Sequence, residues 1–439
     1  MALFKRAGLG VSPSSFTRFQ ISVELNSDRL VTMSVTLSRA SHLSFAFRPL
    51  SSKPFRGLWL GDFLSNVGLG AQTVGITWIL IKNDAGAALI AGANVAFTIP
   101  MLFFSLAGGV LADLYGYRSV QLYTQALMCL ASFLIILMAP LDLSSNWYAL
   151  GVAFLVGTAV ALRTPAWLAS FRSLVPTDDL AAAVTLNSME VNLARAIGPA
   201  LGGVLTAFLS PASTAIVNLA AAAFFTLMVL RFSPCPSRHT HNRQDLSGLM
   251  LEALRIPTAN PLVRNVLIRM ACIGFSSGAI LSLLPVVSSV RFGGSALVLG
   301  SLLFIFGIGA ASATVTLPLL RSRLTPEGIL TLGTLSLSFS LFCFAVVPSW
   351  AAAILPLFLC GMGWLTVNST LGGTLHFLAA TNLHARTLAL YTTAGVGVSA
   401  GGGIVWGLMA QHTDVGLAFL AAGLLLLPSC GIRVFFPVH

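Results

Sequence analysis

Continuous apolar stretches about as long as a bilayer is thick recur in this chain from residue 58 to the end, and they constrain its fold more than any other feature. A hydrocarbon layer about 30 Å deep takes about 20 helical residues to cross. Twelve stretches of that order stand between charges, prolines and glycine-rich turns. They cover 58–81, 87–112, 120–140, 147–170, 180–209 and 214–230, then 266–290, 296–320, 329–347, 350–375, 387–410 and 415–431. Of the 439 residues 56% are hydrophobic and only 8% charged, which leaves too little polar surface for a water-soluble globule. Strands of a membrane barrel are about ten residues long and alternate in polarity, and these stretches do neither. The fold class expected is therefore an all-α membrane protein of twelve transmembrane helices.

The chain reads as two halves. Residues 57–231 and 264–436 each hold six stretches, and a polar, basic linker, 232–263, carries Pro234, Pro236, His239, Asp245 and Glu252 between them, with a surface helix expected over 246–254. Duplicated six-helix halves are a transporter feature, because substrate sites form at the midplane where two repeats meet. Residues 1–56 hold eight Lys or Arg, two acids and eleven Ser. That composition predicts a disordered basic extension; an organellar transit peptide, or an upstream start ahead of Met33, are alternatives.

Lys and Arg near span ends stay in the cytoplasm. Connections on one side carry Arg118, Arg172, Arg231, Arg238, Arg243, Arg255, Arg264, Arg269, Arg321, Arg323, Arg386 and Arg433, and those on the other only Lys82 and Arg291. Both termini are thus expected in the cytoplasm of a bacterial inner membrane. The net charge of +11 follows from topology, so no nucleic-acid partner is implied. Cys129, Cys272, Cys343, Cys360 and Cys430 lie in apolar spans and Cys235 in the linker, without disulfide or metal spacing, and His439 stands alone. No metal or cofactor is expected. No nucleotide loop or Ser/His/Asp arrangement supports ATP-driven pumping or hydrolysis, so the chain is not read as an enzyme.

Two motifs carry a family resemblance. The loop after the second stretch runs Gly109-Val-Leu-Ala-Asp113-Leu-Tyr-Gly116-Tyr-Arg118, and the fifth stretch runs Ala194-Arg195-Ala-Ile-Gly198-Pro199-Ala-Leu-Gly202-Gly203. They resemble the cytoplasmic loop signature and the antiporter signature of the major facilitator superfamily, each in its proper place. Arg163, Pro165, Val175-Pro176, Asn187, Asn192, Ala385 to Tyr391 and Trp406-Gly407 extend the likeness to the bacterial transmembrane secretion effector group, which includes the enterobactin exporters. It covers residues 54–436. The chain departs from the pattern at Leu114, where a basic residue is usual, and around Arg321 and Arg323, where the second-half copy lacks a matching acid. The resemblance implies that Asp113 latches its loop against the start of the eleventh span in one state only. A solvated loop acid is the plainer alternative. Gly109 and Gly116 are expected to permit a tight turn. Gly198, Gly202 and Gly203 leave a helix face without side chains beside the bend at Pro199. The resemblance reads that face as a seal against ion leak, and ordinary small-residue packing is the alternative.

Ionisable groups within lipid are expensive and so are functional candidates. Asp62, Arg163, Glu190 and Arg195 qualify. Glu190 and Arg195 stand about 140° apart on an unbroken helix and should not pair. At 1.5 Å per residue Glu190 lies about 15 Å from the inner face, whereas Asp62 and Arg163 lie about 6 to 12 Å from it. Asp62 and Arg163 share a depth, so they pair across a central cavity or each snorkel to the interface. Asp62, Asn66, Thr73 and Thr77 fall along one helical stripe, and Trp364 and Asn368, four apart, are expected to face substrate or to pack.

The function these features predict is secondary transport that exports a small organic molecule such as a drug, siderophore or other metabolite, with a proton as coupling ion and the protein acting as a monomer. A non-transporting assembly or sensing protein on the same fold, or an importer or symporter, is the alternative. Topology is testable directly. Cysteines introduced at Arg243 and Asn146, in a background freed of native cysteines, should react with an impermeant maleimide from opposite faces of the membrane. Reaction of both from one face would overturn the twelve-span arrangement.

Overall fold

The computed structural model describes residues 18–24, 30–36, 47–138, 145–233, 260–378 and 384–431. Twelve long helices make up the body within that range: α1 (Lys53–Lys82), α2 (Ala87–Tyr115), α3 (Tyr117–Met138), α4 (Asn146–Leu174), α5 (Leu180–Phe208), α6 (Pro211–Phe232), α7 (Pro261–Val290), α8 (Ala296–Arg321), α9 (Pro326–Val346), α10 (Ile354–Leu378), α11 (His384–His412) and α12 (Val415–Gly431). Ten of them, α1 to α10, are long and apolar enough to cross a membrane, and α12 is a shorter apolar helix of 17 residues. The expected helix at 246–254, Cys235 and His439 lie outside the described residues, as do the side chains of Asp113 and Arg386.

Local chemistry sets where the helices begin. Proline opens α1, α6, α7 and α9, where its missing N–H would have no intrahelical partner anyway. Asn260 caps α7 by accepting from the amides of Leu262 and Val263, and Thr325 caps α9 through Gly328. Gly116, at φ +80°, is the single residue between α2 and α3, in a conformation that an L side chain rarely adopts.

The structure departs from the sequence expectation in the amino-terminal stretch and at several helix starts, most at α1, at α7, which begins at Pro261 rather than 266, and at α10. A hairpin of β1 (Arg18–Glu24) and β2 (Leu30–Thr36) occupies part of the expected disordered extension, and its antiparallel register sets Phe19 opposite Val35, Ile21 opposite Met33 and Val23 opposite Val31. Period-two alternation in both segments around Asn26-Ser-Asp28 is the local signal for it. Helix α1 begins at Lys53 rather than 58, because Ser52-Lys-Pro permits an extended entry followed by a proline at the first turn. Its start is held by Ser52, whose hydroxyl donates to the Leu174 carbonyl at 3.4 Å, and by Arg48, which lies 3.5 Å from Asp179. Helix α10 begins at Ile354, after a turn through 350–353, instead of at 350.

Within the first half α1 packs on α5 and α6, and α4 on α2 and α3; in the second, α7 packs on α11 and α12, and α10 on α8 and α9. The halves meet along two seams, α5 with α8 and α2 with α11. Glycines let the backbones approach at both. A Cβ on Gly203 would lie 2.8 Å from both the Ala296 carbonyl oxygen and the Gly300 Cα, and one on Gly307 would lie 2.6 Å from the Ala196 Cα. Across the other seam Gly397 meets Leu102, Gly403 meets Val95 and Gly407 meets Ala91. Gly203→Val should therefore force the helices apart and cost about 1–3 kcal/mol. The loss should appear as a lower thermal midpoint in detergent. Gly151→Ala, where an added methyl meets nothing within 4 Å, should leave it unchanged or raised.

Candidate functional site: a cavity between the two halves

A cavity of about 630 Å³ lies between the halves, with walls from α1, α2, α4, α5, α7, α8, α10 and α11. Its surface is mostly apolar and aromatic, and its charged lining side chains are Asp62, Arg163 and Arg195. The whole stripe on α1, Asp62, Asn66, Thr73 and Thr77, lines it. Trp364 and Asn368 line it from the second half.

The densest polar cluster sits in the wall formed by α1, α4 and α5. Asp62, Arg163 and Glu190 are 2%, 4% and 1% exposed, so each charge must be answered by protein groups. Arg163 Nη1 lies 3.2 Å from Asp62 Oδ1, a charge contact without hydrogen-bond alignment, and the same nitrogen donates to Ser65 Oγ at 3.0 Å. Arg163 Nη2 donates to Asn66 Oδ1. The Asn66 amide nitrogen then donates to Glu190 Oε1 at 2.8 Å and to Asp62 Oδ2 at 3.2 Å. One carboxamide thus joins both carboxyl groups to the guanidinium. Phe225 of α6 closes the cluster, with its ring centroid 5.8 Å from the Arg163 guanidinium carbon. Glu190 Oε2 makes no aligned hydrogen bond among the described residues, and the Asp62 carboxyl group shares the Asn66 amide with it.

Sequence reasoning treated Glu190 as separate from Asp62, at a different depth. The structure brings them together for a simple reason. With α1 starting at Lys53, Asp62 lies about 13 Å along the helix, level with Glu190 at about 15 Å along α5. Ser65 and Phe225 were missed. Ser65 is three residues after Asp62 and so stands on the same helix face, a signal that helical spacing offers. Nothing local marks Phe225.

Arg195 also lies where counting put it, away from Glu190. Its guanidinium carbon stands 5.1 Å from the centre of the Trp364 ring, a contact that reaches from α5 to α10 and so from one half to the other. Trp364 in turn packs on Phe306 at 6.0 Å. It packs and lines the cavity at once. The Asn368 amide donates to the Trp364 carbonyl of its own helix.

The glycine face of α5 serves two neighbours. Gly198 and Gly202 approach the α1 backbone at Val67, Gly70 and Ala71, and Gly203 approaches α8. In the loop region the tight approach is at Gly108, where a Cβ would lie 2.6 Å from the Leu162 carbonyl oxygen. Gly109 is instead open, with Pro165 Cβ 4.0 Å from such an atom, because adjacent helical residues point about 100° apart. Arg118 is not free in solvent: its Nη2 donates to the Leu230 carbonyl at 3.1 Å, at the C-terminal end of α6, where a cation is favoured.

Breaking one member of a buried ion pair costs about 3–5 kcal/mol, since the other charge is left unanswered. Asp62→Asn should therefore lower the thermal midpoint sharply, and Arg163→Met in the same chain should recover part of the loss. Additive losses in the double variant would mean that the two charges do not act as a pair.

Comparison with known proteins follows the same lines. Residues 44–439 match the family described as transmembrane secretion effector. The enterobactin exporter EntS of Salmonella choleraesuis (strain SC-B67) is 29% identical over 391 residues, covering 85% of this chain and 91% of that protein. The EntS of Escherichia coli O1:K1 / APEC is 28% identical over 384 residues with the same coverage. Among solved structures, the nucleoside transporter NupG superposes with a TM-score of 0.69 at 14% identity, over 88% of this chain and 100% of the other. A D-xylose-proton symporter does so with a TM-score of 0.69 at 12% identity, over 87% and 97%. At such identities the structural likeness establishes the fold. The chain belongs to the transmembrane secretion effector family, and is a multi-pass secondary transporter of the major facilitator fold and not an enzyme.

Proposed function

We propose that this protein exports a small organic molecule across the bacterial inner membrane in exchange for protons, and that Glu190 with Asp62 carries the proton. The observation behind this reading is the Asp62–Asn66–Arg163–Glu190 cluster in the cavity wall. An ionised carboxylate near the bilayer midplane costs about 2.5 kcal/mol or more, and Glu190 has one oxygen without a hydrogen bond and a second carboxyl group, Asp62, beside it. Glu190 therefore exchanges its proton when water reaches the cavity, and Asn66 passes the change to the Asp62–Arg163 pair. Outward transport is supported by relatives that are enterobactin exporters and by the glycine face at Gly198, Pro199, Gly202 and Gly203.

The seams support an alternating cycle. Among their close contacts, Gly203 with Gly300 and Gly407 with Ala91 lie near the ends of the helices joined by 83–86, 209–210, 291–295 and 413–414. Arginines concentrate at the opposite ends, so the termini face the cytoplasm and the arrangement is closed on the outer side. Asp113, Gly116 and Arg118 would then hold the loop in the state that the opposite closure needs.

Vesicle transport under an imposed pH gradient, with a panel of siderophores and hydrophobic cations, is the test. Glu190→Gln should abolish gradient-driven export while substrate binding and passive exchange survive. Persistence of export in Glu190→Gln would transfer the role to Asp62, and persistence in Asp62→Asn as well would exclude proton coupling through this cluster.

A further inference from the structure

Three charged side chains line the central cavity, and two of them, Asp62 and Arg163, are paired. Arg195 is the third. Among the described residues no carboxylate lies within ion-pair distance of it; its contact is the face of Trp364, 5.1 Å away on the opposite half. Glu190 shares its helix but lies about 140° around it, and its Oε1 is engaged by Asn66. A cation held over an aromatic face keeps its in-plane N–H groups free, since the attraction uses the ring quadrupole and not those donors. The wall around it is aromatic as well, with Phe306 behind Trp364 and Tyr391 lining the same space.

We propose that Arg195 and Trp364 form the recognition point for the exported molecule, and that this molecule is anionic and aromatic: its negative group meets the Arg195 guanidinium while its ring packs beside Trp364. This rests on the transporter reading for the place where substrate binds, and is independent of proton coupling. The physical contrast is large. An anion gains charge-assisted hydrogen bonds to a guanidinium at the cavity wall, worth roughly ten-fold in affinity or more, whereas a cation of the same shape meets like charge. Because Arg195 belongs to α5 and Trp364 to α10, a substrate seated there touches both halves at once. Its binding energy then bears on their relative position.

Equilibrium binding to the full purified chain in detergent tests this with three matched probes: naphthoate, the uncharged naphthalenemethanol, and the cationic naphthylmethyl-trimethylammonium. Naphthoate should bind about ten-fold or more tightly than the alcohol, and the cation weakest. Arg195→Gln should erase the order, Arg195→Lys should keep it in weaker form, and Trp364→Ala should weaken all three without reordering them. Charge-blind or cation-preferring binding by the unmodified protein, or no naphthoate binding, would overturn the proposal whether or not any variant folds. So would an unchanged preference in an Arg195→Gln protein that elutes as a folded species. Anion-selective, Arg195-dependent binding in a protein that shows no gradient-driven efflux would leave this site standing and remove the proton-coupled reading. Brisk efflux with charge-blind binding would do the reverse.

Discussion

The bilayer core holds no water, so each backbone N–H and C=O inside it must find its partner within the chain. Helices satisfy that demand locally, and a body of twelve helices is the result. The same constraint then acts on side chains. Few are polar, and several of those that are buried pair with one another across helices. Ser132 donates to Gln72 at 2.8 Å and Asn218 donates to Ser132 at 3.0 Å, tying α3, α1 and α6 together inside the first half. That triad stays within one half and does not line the cavity, so it serves as glue. The Asp62–Asn66–Arg163–Glu190 cluster obeys the same rule but opens on the cavity, which is what separates a site from a fastening.

Glycine is the other consequence of life in lipid. Helices there gain little from burying apolar surface against each other, so their contact depends on close van der Waals fit. Gly203 against Gly300, and Gly403 and Gly407 against α2, bring backbones together along both seams between the halves. A smooth backbone surface seals and still permits one half to turn against the other. Interlocked large side chains would seal equally well and resist turning. The glycine face of α5 against α8 and the glycine-rich α11 against α2 are thus the two close backbone contacts between the halves.

Much of this was legible in the sequence because the constraint is so strong. Apolar length alone located the helices, and the missing precision was at their ends: Lys53 begins α1 through a proline entry that hydropathy does not register. That small shift had a large effect, since it moved Asp62 to the depth of Glu190. The stripe on α1 could be read from helical spacing, whereas the role of Asn66 as the shared donor could not, because spacing gives faces and not partners across helices. Gly108 was overlooked in favour of Gly109 because a motif names positions without saying which one faces the neighbouring helix. The hairpin at 18–36 carried a period-two signal that its Ser- and Arg-rich surroundings obscured.

The two halves share an architecture but not a distribution of charge. The second half has its own ion pair, buried Arg269 with half-buried Glu327 at 2.6 Å, between α7 and α9. It faces a crevice shared with Ser429 of α12, not the central cavity. Its charges can therefore hold α7, α9 and α12 together, but they are not placed to meet a substrate passing between the halves. In the first half the pair lines the cavity directly and is linked to a second carboxyl group. The second half contributes no charge there, only uncharged surface that includes Phe306, Trp364 and Tyr391, while Phe97 and Trp167 line it from the first half. The charged side chains of the cavity are thus confined to the first half, whereas aromatic rings line it from both, with Arg195 and Trp364 in contact across the gap. On the proposed reading, a substrate bound between them and a proton taken up beside Asn66 would act on the same helix, α5, at points about 1.4 turns apart, so each would bear on the position of the other.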